Sequence, residues 1–298
     1  MTGRPSARCE RRRALGGLLA GFALFACRRP RTDSPSPSVQ ALLGAASDSH
    51  ESSPEDVVWA MAELARIADL VRRTEGRSAA GGDRDASVIA ALNGVVFGTL
   101  GFVREVEDTS LGFVLLPAVL RSRRGSCVGL GTLYLALGEM LSFPMKGVLR
   151  PGHFFVQAGD RARNIELLHR GEEMPTSWYA TRFPIPDGGV GEYGRGLSIS
   201  EVRGVVEFDV GNERRRQGRF TEARDAFARS ARDFPVFSEA LASLGAMQHL
   251  LGALDEAAAN YAAAHRANPE LEGLDRNIDL LERERAAKSL SHGGDDAR

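Results

Sequence analysis

The chain has 298 residues, 43% hydrophobic and 26% charged, an ordinary globular composition with room for two domains. A formal net charge of −1 leaves no electrostatic case for nucleic acid. The three cysteines, at 9, 27 and 127, form no CxxC pair and there is no HExxH, so neither a metal site nor a cofactor has support.

The first element is an export signal. Arg11-Arg12-Arg13 forms a positive n-region, and the 13 residues from Ala14 to Ala26 form an apolar stretch too short to span a bilayer. The ending Leu24-Phe25-Ala26-Cys27 resembles a bacterial lipobox, which implies removal of residues 1–26 and a lipid on Cys27. Arg12-Arg13 has the look of a twin-arginine signal, but plain n-region charge is the simpler reading. The expected location is the cell envelope, anchored to a membrane by that lipid. Cys127 is then left without a disulfide partner in a compartment where disulfides form readily.

Residues 27–52, with Pro30, Pro35 and Pro37 among serines, read as a disordered tether. A domain is expected over 53–196. Ser53-Pro54-Glu55-Asp56 starts a helix, carried by apolar residues at 57, 60, 61, 64, 67, 68 and 71. A glycine break at 81–82 precedes a second helix near Ala86–Leu100, and Pro117 marks a third start or a kink. After Cys127, apolar residues at 130, 133, 134, 137 and 141 recur at helical spacing. Short apolar runs at Lys146–Leu149, His153–Gln157 and Arg163–Leu167 read as strands. The loop that follows contains Gly189-Val190-Gly191-Glu192-Tyr193-Gly194, formally GxGxxG; with no strand leading into it, the match is accidental.

Over 197–298 the expectation is an all-α domain. Ser198-Ile199-Ser200-Glu201 is a capping box. Gly211, Gly218, Ala223, Phe227 and Pro235 are each matched 34 residues later by Gly245, Gly252, Ala257, Tyr261 and Pro269. Five matches in one register resemble the tetratricopeptide repeat, with Glu272–Lys288 as a closing helix. Phe227 and Tyr261 belong to the repeat core.

Cys127, His153 and Glu166 occur in the order of a thiol acyl-transfer site. Gly159-Asp160 reads as a two-residue type II′ turn. A hairpin symmetric about it sets His153 opposite Glu166, with Cβ atoms roughly 4.5–5.5 Å apart, and Phe154 opposite Ile165 on the other face. At a helix N-terminus, unsatisfied N–H groups and the dipole favour thiolate and suit a developing oxyanion. Arg121, Arg123 and Arg124 could add to this, although solvated charges at a helix end are the commoner case. Taken alone, Cys127 would more often be a buried apolar residue and His153 a satisfied core histidine; order and register favour the site. Histidines 50, 169, 249, 265 and 292 have no such context.

The run Arg-Arg-Gly-Ser-Cys, an apolar helix, Leu-Ser-Phe-Pro and Gly-Val-Leu-Arg-Pro-Gly-His-Phe-Phe-Val resembles the transglutaminase-like superfamily, in its SirB-type branch. The resemblance covers roughly residues 53–290 and includes Ala91-Leu92-Asn93. It implies an α+β, papain-like domain of helices and a small antiparallel sheet, with tetratricopeptide repeats behind it. It also implies Cys127 as nucleophile, His153 as base and acid, and Glu166 as the orienting acid. The superfamily commonly has aspartate followed by proline in the third position, where this chain has Glu166-Leu167. The expected function is acyl transfer on amide bonds of a protein or peptide substrate, by hydrolysis or amine transfer, with the repeats binding a protein partner. The competing expectation is an inert scaffold that mediates protein–protein interaction.

Overall fold

The computed structural model describes residues 36–78, 83–106, 110–187 and 191–293, all within one unit, Pro35–Arg298. The expected signal over 1–26 and the lipidation site Cys27 lie outside the described residues. The tether expectation needs correcting, because helix α1 (Pro37–Asp48) occupies part of 27–52. Ser36 caps it by accepting the Val39 N–H, and Pro37 sits in the first turn, where a missing N–H costs nothing. Val39, Leu42, Leu43 and Ala46 follow at helical spacing and are buried. Of the prolines that suggested a linker, Pro37 is a helix start.

Helix α2 (Pro54–Ser78) begins at the expected Ser-Pro-Glu-Asp signal. Helix α3 (Arg84–Asn93) runs into a π-helical turn, Gly94–Thr99. A two-residue strand β1 (Val103–Arg104) pairs in parallel with β2 (Arg124–Gly125) on either side of α4 (Leu116–Ser122). Helix α5 (Cys127–Leu141) is buried from Val128 to Gly138, capped by Ser126 Oγ on the Gly129 N–H at 3.2 Å. Gly131 lets it lie directly on the sheet, since a Cβ there would come within 2.4 Å of the Phe154 ring.

The sheet is antiparallel, in the order β3 (Met145–Arg150), β4 (His153–Ala158), β5 (Arg163–Glu166), β6 (Glu172–Glu173). Its register departs from the expected two-residue hairpin. Val156 pairs with Ile165 and Ala158 with Arg163, so the loop has four residues, 159–162. The cause lies outside the hairpin: the Asp85 carboxylate of α3 sits where a Gly159 Cβ would be, at 2.3 Å, and accepts the Arg161 N–H at 3.3 Å. The shift is two residues, and side chains alternate with period two, so His153 and Glu166 still share a face. Helix α6 (Thr176–Arg182) covers that face, packing Tyr179 on Val148 and Phe155.

The rest is all helical: α7 (Ile199–Arg216), α8 (Phe220–Asp233), α9 (Ser238–Leu250), α10 (Leu254–Ala267) and α11 (Leu274–Gly293). Gly211 faces the Phe227 ring and Gly245 the Tyr261 ring, with Cβ positions 2.5 and 2.7 Å from them, so α7/α8 and α9/α10 meet through equivalent close approaches. The main apolar core does not stop at residue 196. Val202, Val205, Val206 and Val210 of α7 join it together with α1 and α5. A strap just before α7 runs along β3, with Gly194 N–H on Leu149 O at 2.9 Å and Leu197 N–H on Gly147 O at 2.8 Å. Among the described residues, no helix is long and apolar enough to cross a membrane.

Candidate functional site

Cys127 is the first residue of α5 and His153 the first of β4, and both line one cavity of about 270 Å³. Glu166 ends β5 and is fully buried. Its Oε2 lies 2.7 Å from His153 Nε2, and its Oε1 accepts the Leu168 N–H at 3.0 Å. Both carboxylate oxygens are thereby committed, and the contact is made by the tautomer in which Nε2–H donates to the carboxylate. The lone pair of the imidazole then falls on Nδ1, the nitrogen needed to take a thiol proton.

The turn behind Glu166 is held by Asn93, the last residue of α3, to which the sequence assigns no role. Its side-chain amide donates to Gly171 O at 2.7 Å, and its carbonyl accepts the Tyr134 hydroxyl at 2.7 Å. The imidazole is also clamped from the side. Phe183 stacks on it with centroids 4.1 Å apart, and the buried Arg150 donates to Phe183 O at 3.0 Å. Tyr179 stacks on Phe155 at 3.9 Å; burial and the Glu166 charge push its hydroxyl well up. Phe183 and Arg150 were not legible as site residues. Their roles depend on where α6 ends, and no local pattern reports that.

The thiol environment differs from the sequence expectation. Burial, together with the charges of Asp209 and Glu166, pushes Cys127 up to about 11, against the N–H groups of Phe154 and Val128 that favour thiolate. The three arginines spend their charge elsewhere. Arg121 pairs with Asp56 and lies 4.2 Å over Trp59, Arg123 donates to Leu100 O at 3.0 Å, and Arg124 pairs with Glu105. Among the described residues, no hydrogen bond joins the thiol to the imidazole. The structure therefore brings His153 and Glu166 into contact and sets Cys127 in the same cavity.

The opposite wall comes from the helical region: Phe208, Asp209 and Arg216 of α7, and Phe237 and Glu239 at the start of α9. The repeat pattern predicted these helices but not their docking on the cavity. Among the described residues, no group of His, Cys, Asp and Glu is placed to hold a metal ion.

Residues 59–178 match the family model of the transglutaminase-like superfamily, a span that contains Cys127, His153 and Glu166. Neither curated proteins nor solved structures give a match to this chain.

Proposed function

With a transglutaminase-like superfamily domain at residues 59–178 as its premise, we propose that the protein carries out thiol acyl transfer on amide substrates. The observation that carries this reading is the buried His153–Glu166 pair at 2.7 Å, opening onto the cavity that holds Cys127. His153 Nδ1 takes the thiol proton as Sγ attacks the carbonyl carbon, and the negative charge collects on the carbonyl oxygen beside the first turn of α5. Collapse breaks the C–N bond, and the same proton passes from the imidazolium to the leaving amine. The thioester left on Cys127 is then opened by water or by a second amine, His153 now taking a proton from the incoming nucleophile. Glu166 fixes the tautomer throughout.

The test is acylation by an activated p-nitrophenyl ester, read by mass spectrometry at Cys127 on the full chain. Acyl-Cys127 should form and should be lost faster when a primary amine is added. Parent-like acylation in His153→Ala would count against the assignment.

The rest of the reading concerns placement. The N-terminal segment directs export, Cys27 carries a lipid that anchors the protein in the cell envelope, and the helices act as tetratricopeptide-type repeats that bind a protein partner. The equivalent Gly211–Phe227 and Gly245–Tyr261 contacts support the repeat assignment. Mass spectrometry of the membrane fraction should find acylated Cys27. A second reading, an inert domain serving as a scaffold, draws on the thiol's elevation to about 11. The ester experiment separates the two, because a scaffold forms no acyl-Cys127.

A further inference from the structure

The cavity has two walls with different chemistry. The α5–β4 wall presents the thiol and the imidazole. His153 is 5% exposed and its Nε2 is taken by Glu166, so Nδ1, a polar atom of a deeply buried side chain, meets the cavity with no hydrogen-bond partner among the described residues. The α7–α9 wall presents two carboxylates, Asp209 and Glu239, and two aromatic rings, Phe208 and Phe237, whose centroids are 4.9 Å apart.

The carboxylates are poorly compensated. No described residue donates a hydrogen bond to Asp209, and burial, outweighing the charge of Arg216, pushes it up to about 7. Among the described residues Glu239 accepts only the neutral Tyr193 hydroxyl, at 2.7 Å, and burial raises it as well. Arg216 lines the same cavity, but its Nε donates to Glu213 Oε2 at 3.1 Å and a terminal nitrogen to the same oxygen at 2.5 Å. Asn212, the other polar residue of this wall, is neutral. Desolvated carboxylates beside aromatic faces are what an organic cation requires: the acids supply opposite charge and the rings supply cation–π contact. An anionic group brought there would face two acidic side chains of like sign.

We propose that the cavity selects acyl substrates bearing a cationic group, a primary ammonium or a guanidinium, which Asp209 and Glu239 hold opposite the Cys127 thiol. The helical region then determines specificity by completing the cavity. This rests on Cys127 as the nucleophile.

The experiment compares two thiol reagents of similar size on the full chain, 2-(trimethylammonium)ethyl and 2-sulfonatoethyl methanethiosulfonate. In each, the thiolate sulfur attacks the sulfenyl sulfur, a disulfide forms, and methanesulfinate leaves with the electron pair. Rates at Cys127, read by peptide mass spectrometry and divided by each reagent's rate with free 2-mercaptoethanol, give a charge preference. The parent should favour the cationic reagent by about tenfold or more at low salt. Asp209→Asn should cut that ratio by about threefold or more, and Asp209→Lys should invert it. A ratio near one in the parent, or one that Asp209→Asn leaves unchanged, would overturn the proposal. Should Asp209→Lys fail to fold, the near-isosteric Asn variant decides alone. Comparing His153→Ala with the parent separates the two claims: loss of charge preference with retained dependence on His153 sinks only the cation subsite, whereas rates indifferent to His153 sink the nucleophile.

Discussion

The imidazole of His153 lies flat on the ring of Phe183, with centroids 4.1 Å apart and planes inclined by 9°, while Nε2 bonds Glu166. A ring held from the side and at one nitrogen has one orientation left, and in that orientation Nδ1 is the remaining nitrogen. Replacing Phe183 with alanine removes the stack and leaves a space beside the histidine. Phe183→Ala should slow Cys127 acylation by about tenfold while Phe183→Tyr stays near the parent, because misplacing a base is costly even when the base is present. Equal rates for both variants in the ester assay would show that the stack only fills space.

Glu166→Gln changes one atom but reverses a hydrogen bond. A glutamine can still accept the Leu168 N–H, but its amide would donate to His153 Nε2 and move the ring proton to Nδ1. That is the wrong tautomer for a base. Acylation of Cys127 should fall by about 10²-fold or more, with the melting temperature nearly unchanged. A variant as fast as the parent would remove Glu166 from the site.

Buried acids should also give stability an unusual pH slope. Glu192 is fully buried, accepts the Ser238 N–H at 2.6 Å and its hydroxyl at 2.5 Å, and is pushed up to about 7, burial being the largest cause. Between the ordinary carboxylate range and about 7 the folded chain binds more protons than the unfolded one, so its stability is greatest at the acidic end and falls as pH rises. The decline from Glu192 should be of order 1–3 kcal/mol. Denaturant melts across this range should show the slope, and Glu192→Gln should flatten it. A parent whose stability rises steadily from pH 4.5 to 7 would contradict the assignment.

The helix pairs offer a packing test. Gly211→Ala and Gly245→Ala each drive a methyl group into an aromatic ring and should cost about 1–3 kcal/mol. Phe227→Leu, which shortens the facing side chain, should recover part of the loss in Gly211→Ala, so the pair is non-additive. Strict additivity in urea titrations would mean that the two residues do not meet.

Much of this architecture was legible from local signals. Ser126-Cys127 gave the start of α5, Ser198 and Glu201 gave α7, and the 34-residue offset gave the helical region with small residues where paired helices touch. The His153–Glu166 meeting was legible for a reason sturdier than the register that predicted it. The turn was read two residues short, but any even shift keeps both side chains on one face. What stayed hidden depended on distant residues. Asp85 sets the turn from another helix, α1 follows prolines that suggested a linker, and Asp209 reaches the cavity only because α7 docks beside α5. The high thiol pKa was hidden for the same reason, since the groups that burden Cys127 lie far away in sequence.

The account depends on one claim above all, that His153 activates Cys127. The direct measurement is the pH profile of iodoacetamide alkylation, read at Cys127 by peptide mass spectrometry, in the parent and in His153→Ala. The account predicts a parent rate at neutral pH at least about tenfold above that of the variant, with an inflection well below 11, because the imidazole takes the proton that burial would otherwise keep on sulfur. Coincident profiles, both rising only as pH approaches 11, would contradict it and leave Cys127 an inert thiol.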